Sequence, residues 1–226
     1  MRSRAYQNIK GETPTGAVDI PTAVAFLKEH SRASFDETVE IHVHLGIDPN
    51  KSEQTVRGTV TLPAGAAKQQ KIVVFTSDPV QQKEVLTAGA RKAGGEELIN
   101  AIATSKGLDA DITIATPELM PQVAKIAKIL GPKGLMPSPK TGTVTPDPVS
   151  ATRALQAGQM SFKMDKQGNI HASLGKISWD QNKIINNIQA FLEAVRSARP
   201  SFAKGEFFRS LTLKSTMSPS IRITRR

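Results

Sequence analysis

The sequence predicts an α+β fold in two domains: a split domain built from both ends of the chain, residues 1–66 with 158–226, and an α/β domain inserted between them, residues 67–157. Two textures carry the prediction. Apolar and polar side chains alternate along residues 38–45 and again beyond residue 159, the signature of strands with one buried face. Between them, short all-apolar strands alternate with helices, which calls for a parallel sheet with helical crossovers. The chain passes between the textures twice, near residues 64–70 and 156–159, an arrangement suited to a hinge.

Taken in order, the first segment reads as a Gly/Thr/Pro-rich loop through Gly16. Asp19-Ile-Pro21 marks a helix start, because proline is tolerated in a first turn, and Val24, Phe26 and Leu27 give the segment to His30 an apolar stripe. Val39, Ile41, Val43 and Leu45 alternate with Glu40, His42 and His44 in a half-buried strand, and Thr55–Leu62 supplies a partner strand. Ile72-Val-Val-Phe75 is apolar throughout, as in a strand covered on both faces. Helices follow at Pro79–Ala88 and Gly95–Thr104, a strand at Asp111–Ala115, a helix at Pro117–Leu130, a Gly/Pro-punctuated loop at Gly131–Thr143 and a helix at Asp147–Ala157. Met160–Met164 and Asn169–Ser173 flank Asp165-Lys-Gln-Gly168 and are expected to pair as a hairpin, with Gly168 at a positive φ. Asp180–Ala198 is the longest helix, with Ile184, Ile185, Ile188, Phe191, Leu192 and Val195 along one stripe. Phe207–Lys214 and Ser220–Thr224 are the last two strands, joined by Ser215–Pro219.

Thirty Lys and Arg against twenty Asp and Glu give a net charge of +10, which points to a polyanionic partner. The excess is uneven: residues 1–66 hold seven basic and eight acidic side chains, whereas residues 161–226 hold twelve and four. Arg2, Arg4 and Lys10 precede the first acid, and from Phe207 to Arg226 there is no acid at all. Part of this basic set falls on strands, which favours a nucleic-acid surface over frayed tails. Aromatic residues make up only 4%, too few for a surface built mainly by stacking bases on rings. Cysteine is absent, which excludes a disulfide framework, a thiolate metal site and a cysteine nucleophile. No apolar run approaches the ~20 residues that a bilayer demands, and no signal-peptide core opens the sequence. A cytoplasmic chain with no membrane partner is expected.

Catalysis and cofactor binding find little support. His42 and His44 share a strand face, but with only His30 and His171 besides, a complete metal site would need distant carboxylates. No nucleophile elbow stands out, and the glycines near residues 89–95 and 131–142 fit neither a Walker loop nor a dinucleotide fingerprint. The expectation is a non-enzyme without metal or cofactor, with a nucleotide-dependent α/β enzyme as the alternative. Four segments of the split domain converge on nucleic-acid chemistry. The strand at Thr38–Leu45 offers Glu40; the expected hairpin offers Lys163, Lys166 and His171; the last strands offer Arg209, Ser210, Lys214 and Arg222; the turn offers Thr216, Met217 and Ser218. Lys and Arg neutralise phosphates, while hydroxyls, carboxylates and backbone groups read 2′-hydroxyls and base edges. Composition alone does not choose RNA over DNA.

Several motifs in register decide more. Phe35-Asp-Glu-Thr-Val-Glu40, Leu45-Gly-Ile-Asp-Pro49, Gln54-Thr-Val-Arg-Gly-Thr-Val60, Gly94-Gly-Glu-Glu97, Ile129-Leu-Gly-Pro-Lys-Gly-Leu-Met-Pro137 and Ser215-Thr-Met-Ser-Pro-Ser220 resemble the ribosomal protein L1 family in its bacterial form. The resemblance runs from about Pro21 to Ile223. It implies that the insert is a Rossmann-like three-layer domain and that the split domain binds large-subunit rRNA. It further implies a monomer within the ribosome's mobile side stalk, aid to release of deacylated tRNA from the exit site, and repression of the protein's own mRNA through its leader. By position, the family's RNA contacts fall on Phe35, Thr38, Glu40, Lys163, Lys166, His171, Ser210, Thr216, Met217 and Ser218. Two departures stand out: Ser218 occupies a place where the family usually has glycine, and the N-terminal basic segment is short.

Overall fold

The computed structural model describes residues 4–48, 55–68, 70–105, 108–200 and 205–224. Along the chain run α1 (Arg4–Glu12), α2 (Ile20–Glu29), β1 (Thr38–Leu45), β2 (Arg57–Thr61), β3 (Ile72–Phe75), α3 (Pro79–Thr87), β4 (Lys92–Gly94), α4 (Glu96–Ser105) and β5 (Ile112–Ala115). Short helices α5 (Met120–Val123) and α6 (Ala127–Leu130) follow, then α7 (Pro148–Gln156), β6 (Gln159–Lys163), β7 (Asn169–Lys176), α8 (Gln181–Ser197), β8 (Phe208–Ser215) and β9 (Ile221–Ile223). These elements fall into two compact units, one drawn from Met1–Lys68 and Met160–Arg226, the other from Gln69–Gln159.

In the first unit, an antiparallel sheet of order β7-β1-β8-β9 places β1 between two strands that come far later in the chain. Val39, Ile41, Val43 and Leu45 point inward with Ile170, Leu174, Leu211, Leu213, Ile221 and Ile223. Helices α2 and α8 cover that face with Val24 and Leu27 and with Ile184, Ile188, Phe191 and Val195, all sealed from solvent. Burying each such side chain is worth roughly 1.5–3 kcal/mol relative to leaving it exposed. Val18 bridges Ile223 in parallel, so the segment before α2 lies along the last strand. The Thr224 hydroxyl donates to Asp19, the residue before α2, at 3.3 Å.

Three local expectations give way here. The N-terminal loop is α1, a helix despite Gly11, because Ile9 is buried and Glu12 reaches His30 Nε2 at 2.9 Å. Strand β2 is no partner of β1; it pairs with β6 in a separate two-stranded sheet. Consequently β6 and β7 do not form a hairpin. The turn between them does close, since Asp165 accepts from the amides of Gln167 and Asn169 at 2.8 Å each and Gly168 sits at φ 82°. Its arms diverge because Phe162 packs edge-on against Phe191 of α8, 5.6 Å between centroids, and its ring fills the space that a side chain at Gly58 of β2 would need. The inward residues of β7 meanwhile belong to the β1 sheet.

The second unit is a parallel sheet of order β4-β3-β5 between two helical layers. The side chains of β3 alternate between faces. Val73 and Phe75 pack with Ile99, Ile102, Leu119, Val123, Ile126 and Leu130, whereas Ile72 and Val74 pack with Val85 and Leu155. This is the three-layer α/β arrangement, with both faces of the sheet covered. Asp78 and Asp147 cap α3 and α7 through the amides of Val80 at 2.9 Å and of Val149 and Ser150 at 3.1 Å. Strand β4, only three residues long, gave no periodic signal in the sequence. The helix expected over Pro117–Leu130 is broken into α5 and α6 with single 3₁₀ turns at Pro117–Leu119 and Ala124–Ile126, and Pro121 falls in the first turn of α5.

On α8, Asn187 interrupts the apolar stripe and is wholly buried. Its side-chain amide donates to Leu174 O at 2.7 Å and Gly65 O at 3.2 Å, and its carbonyl accepts from Ala64 N at 2.9 Å. It thereby ties the chain leaving β2 to α8 and β7. Asn187→Leu strands three backbone groups, so urea denaturation should show a loss of about 1–3 kcal/mol. An unchanged midpoint and slope would refute this role.

Candidate nucleic-acid interface

The inward parity of β1 fixes its outward parity: Thr38, Glu40, His42 and His44 face away from the core. The register then sets three rows across the sheet. Ser173, Glu40 and Lys214 form one; His171, His42, Thr212 and Arg222 the next; Asn169, His44 and Ser210 the third. Within the first, Lys214 Nζ lies 3.2 Å from Glu40 Oε2, so the carboxylate holds the lysine in place. In the second, Nδ1 of His42 and Nδ1 of His171 meet at 2.6 Å. One nitrogen must accept, so at least one of the two rings is neutral in this geometry. The His42 pKa is lowered by burial and by the neighbouring His171 and Lys214, against an opposing pull from Glu40. In the third, Asn169 Oδ1 accepts from His44 Nδ1 at 2.8 Å. A bulge between His44 and Leu45 leaves Arg209 unpaired in the register and exposed at the edge of the face.

Beside this face sits the turn from β8 to β9. Thr216 Oγ1 accepts from Thr38 N at 3.0 Å, which fastens the turn to the start of β1. Met217, within the turn, is 61% exposed. Ser218 uses its hydroxyl within the turn, accepting from Ser215 N at 2.8 Å and lying 3.0 Å from Pro219 O. The side chain that departs from the family pattern therefore braces the turn.

Behind the turn lies a group that the sequence reading passed over. Glu37 is 2% exposed. One carboxylate oxygen accepts from Ser215 Oγ at 2.5 Å and Met217 N at 3.0 Å, the other from Ser31 Oγ at 3.1 Å and Ala33 N at 3.4 Å. Burial pushes its pKa up, but these donors outweigh burial and hold it below the ordinary value of 4.5. The missed signal was parity: Glu37 continues the inward series of Val39, Ile41 and Val43, where a carboxylate needs partners.

Of the residues expected to make contacts, Thr38, Glu40, His171, Ser210, Lys214, Thr216, Met217, Ser218 and Arg222 gather on this face and its turn. Phe35, 52% exposed, precedes β1. Lys166 stands in the turn leading into β7. Lys163 belongs elsewhere, on β6 of the two-stranded sheet. Arg2, Arg225 and Arg226, which the charge distribution singled out, lie outside the described residues.

Residues 27–219 match the sequence profile of the Ribosomal protein L1p/L10e family, a span that includes β1, the insert and the turn. The chain belongs to this family. Three relatives carry the name large ribosomal subunit protein uL1. That of Solibacter usitatus is 43% identical over 220 residues, 97% of this chain and 92% of the relative. Those of Persephonella marina and Protochlamydia amoebophila are each 46% identical, over 87% and 92% of this chain and 81% and 87% of their own lengths. Members of the L1p/L10e family are structural components of the ribosome and not enzymes, so the nucleotide-dependent enzyme is set aside.

The lowered pKa of Glu37 has a direct consequence for stability. A carboxyl held below its unfolded value stabilises the fold fully above about pH 4.5, and that contribution is lost as pH falls through the lower folded value. Glu37→Gln should lower stability at pH 7 and flatten the acid limb of the stability curve in thermal melts between about pH 6 and pH 3. An acid limb identical to that of the parent chain would rule out this coupling.

Proposed function

We propose that the outward face of the β7-β1-β8-β9 sheet, with the turn after β8, binds a folded segment of large-subunit rRNA. The chain is a structural constituent of the large ribosomal subunit, in the cytoplasm. The observation that carries the reading is the fastening of Thr216 to Thr38 beside the Glu40–Lys214 pair. One small area thus offers a cation for phosphate, hydroxyls and backbone groups for 2′-hydroxyls, and a carboxylate that accepts from base amino groups. Glu40 serves selectivity, because a carboxylate beside phosphates adds no affinity of its own.

On this reading the protein sits as a monomer in the mobile side stalk, and its other partners are the exit-site tRNA, whose deacylated form it helps release, and the leader of its own mRNA. The tRNA and mRNA roles rest on the family resemblance. The leader must present the same phosphate and hydroxyl pattern as the rRNA for one face to bind both. A translational reporter carrying that leader should be repressed by the parent chain and released by Thr216→Ala. Repression that survives the substitution would separate the mRNA role from this face.

Against large-subunit rRNA, Thr216→Ala should weaken binding about five- to tenfold while leaving random RNA of equal length nearly unaffected. Lys163→Ala, on the neighbouring sheet, should weaken both and lower the salt dependence by about one unit of slope. Equal losses on both RNAs for the two variants would defeat this division of labour. The histidine pair adds a pH test. Phosphate nearby favours protonated His42, whose pKa is lowered in the free protein, so binding takes up a proton and tightens as pH falls from about 7.5 to about 5.5. His42→Gln should flatten that profile in filter-binding titrations.

A further inference from the structure

The sheet face accounts for the outward residues of β1 and β8 but not for a cleft of about 600 Å³ lined in part by the turn. Tyr6 and Ile9 of α1 line it together with Met217 and Ser220, and Arg32 and Lys214 bring positive charge to it. Glu37 also borders the cleft, yet its four accepting positions are already taken by Ser31, Ala33, Ser215 and Met217. The carboxylate therefore shapes the cleft and is not a spare acceptor for a ligand.

The remaining chemistry is specific in kind. A phenol ring and an exposed thioether suit a flat, polarisable group, while a guanidinium and an ammonium suit an anion attached to it. Lys214 and Met217 belong both to this cleft and to the RNA-binding face, so the two are continuous. We propose that the cleft holds one unstacked nucleotide of the bound RNA, its base against Tyr6 and Met217 and its phosphate beside Arg32 and Lys214. This rests on the RNA-binding reading above. It also gives α1 a function, because that helix supplies the phenol ring of the cleft. The low aromatic content is no obstacle, since one nucleotide requires one ring.

The test uses the full chain with ¹³C-labelled methionine methyl groups. Adenosine and uridine 5′-monophosphates should shift the Met217 resonance, inorganic phosphate should not, and Ser220→Phe, which fills the cleft from an exposed position outside α1, should abolish the shift. On large-subunit rRNA, Tyr6→Ala should weaken binding about tenfold and Tyr6→Phe should restore it, with Ser220→Phe weakening it as Tyr6→Ala does. Nucleotides that leave Met217 unmoved, or phosphate alone reproducing the shift, overturn the proposal. So does parent-like rRNA affinity in both Tyr6→Ala and Ser220→Phe, a result that leaves the sheet-face reading standing. An unaltered chain that binds no rRNA removes both.

Discussion

A single buried carboxylate organises the surface. Glu37 brings together a turn that precedes β1, the end of β8 and the turn after it, the farthest of these groups 180 positions from Glu37 in sequence. Desolvating a charge is expensive, and here the cost is met by four donors with no lone pair left over. Removing the carboxylate would strand a hydroxyl and an amide at the base of the turn, so the position of Thr216 and Met217 depends on a carboxylate whose acceptor positions are all taken within the protein. The turn is a loop in name but is held at both ends and from below.

Charge is distributed along the chain so that placement and attraction come from different regions. Residues 1–66 have one more acid than base, yet they supply Thr38, Glu40 and the histidines at the centre of the sheet. Residues 161–226 carry the excess of bases, and the sheet delivers Lys214 and Arg222 to positions beside those central groups. The Glu40–Lys214 pair shows the consequence: the lysine loses freedom and part of its field, and gains a defined position. Long-range attraction is left to exposed cations such as Arg209 and Lys166, which sit at the borders.

Strong periodicity was legible in the sequence, and pairing was not. The alternation at Val39–Leu45, the all-apolar Ile72–Phe75 and the stripe on α8 report burial of single elements, which depends on each element's own residues. Which strand neighbours which depends on contacts between segments. Thus β6 follows Phe162 to α8 and β2, although the turn at Gly168 is a sound reverse turn. Helix α1 escaped notice because Ile9 is the one buried residue among its described side chains, too little for a period to show. Most of the residues proposed to contact RNA could be named from the sequence because they lie on motifs, whereas Glu37 and Asn187 act by satisfying buried partners and have no meaning until those partners are in place.

The antiparallel sheet has a temporal consequence. Its central strand emerges early in synthesis, but the two strands that flank it are made about 130 and 170 residues later, after the entire insert. A nascent or stalled chain therefore exposes β1 with both edges open and presents no reading face at all. The insert, whose three strands and helices are contiguous in sequence, can fold in the meantime. On the proposed function, recognition of RNA is thus reserved for chains whose translation has run through β8. For a protein proposed to act on its own message, that delay makes the count of finished molecules, and not of ribosomes in progress, the quantity being sensed.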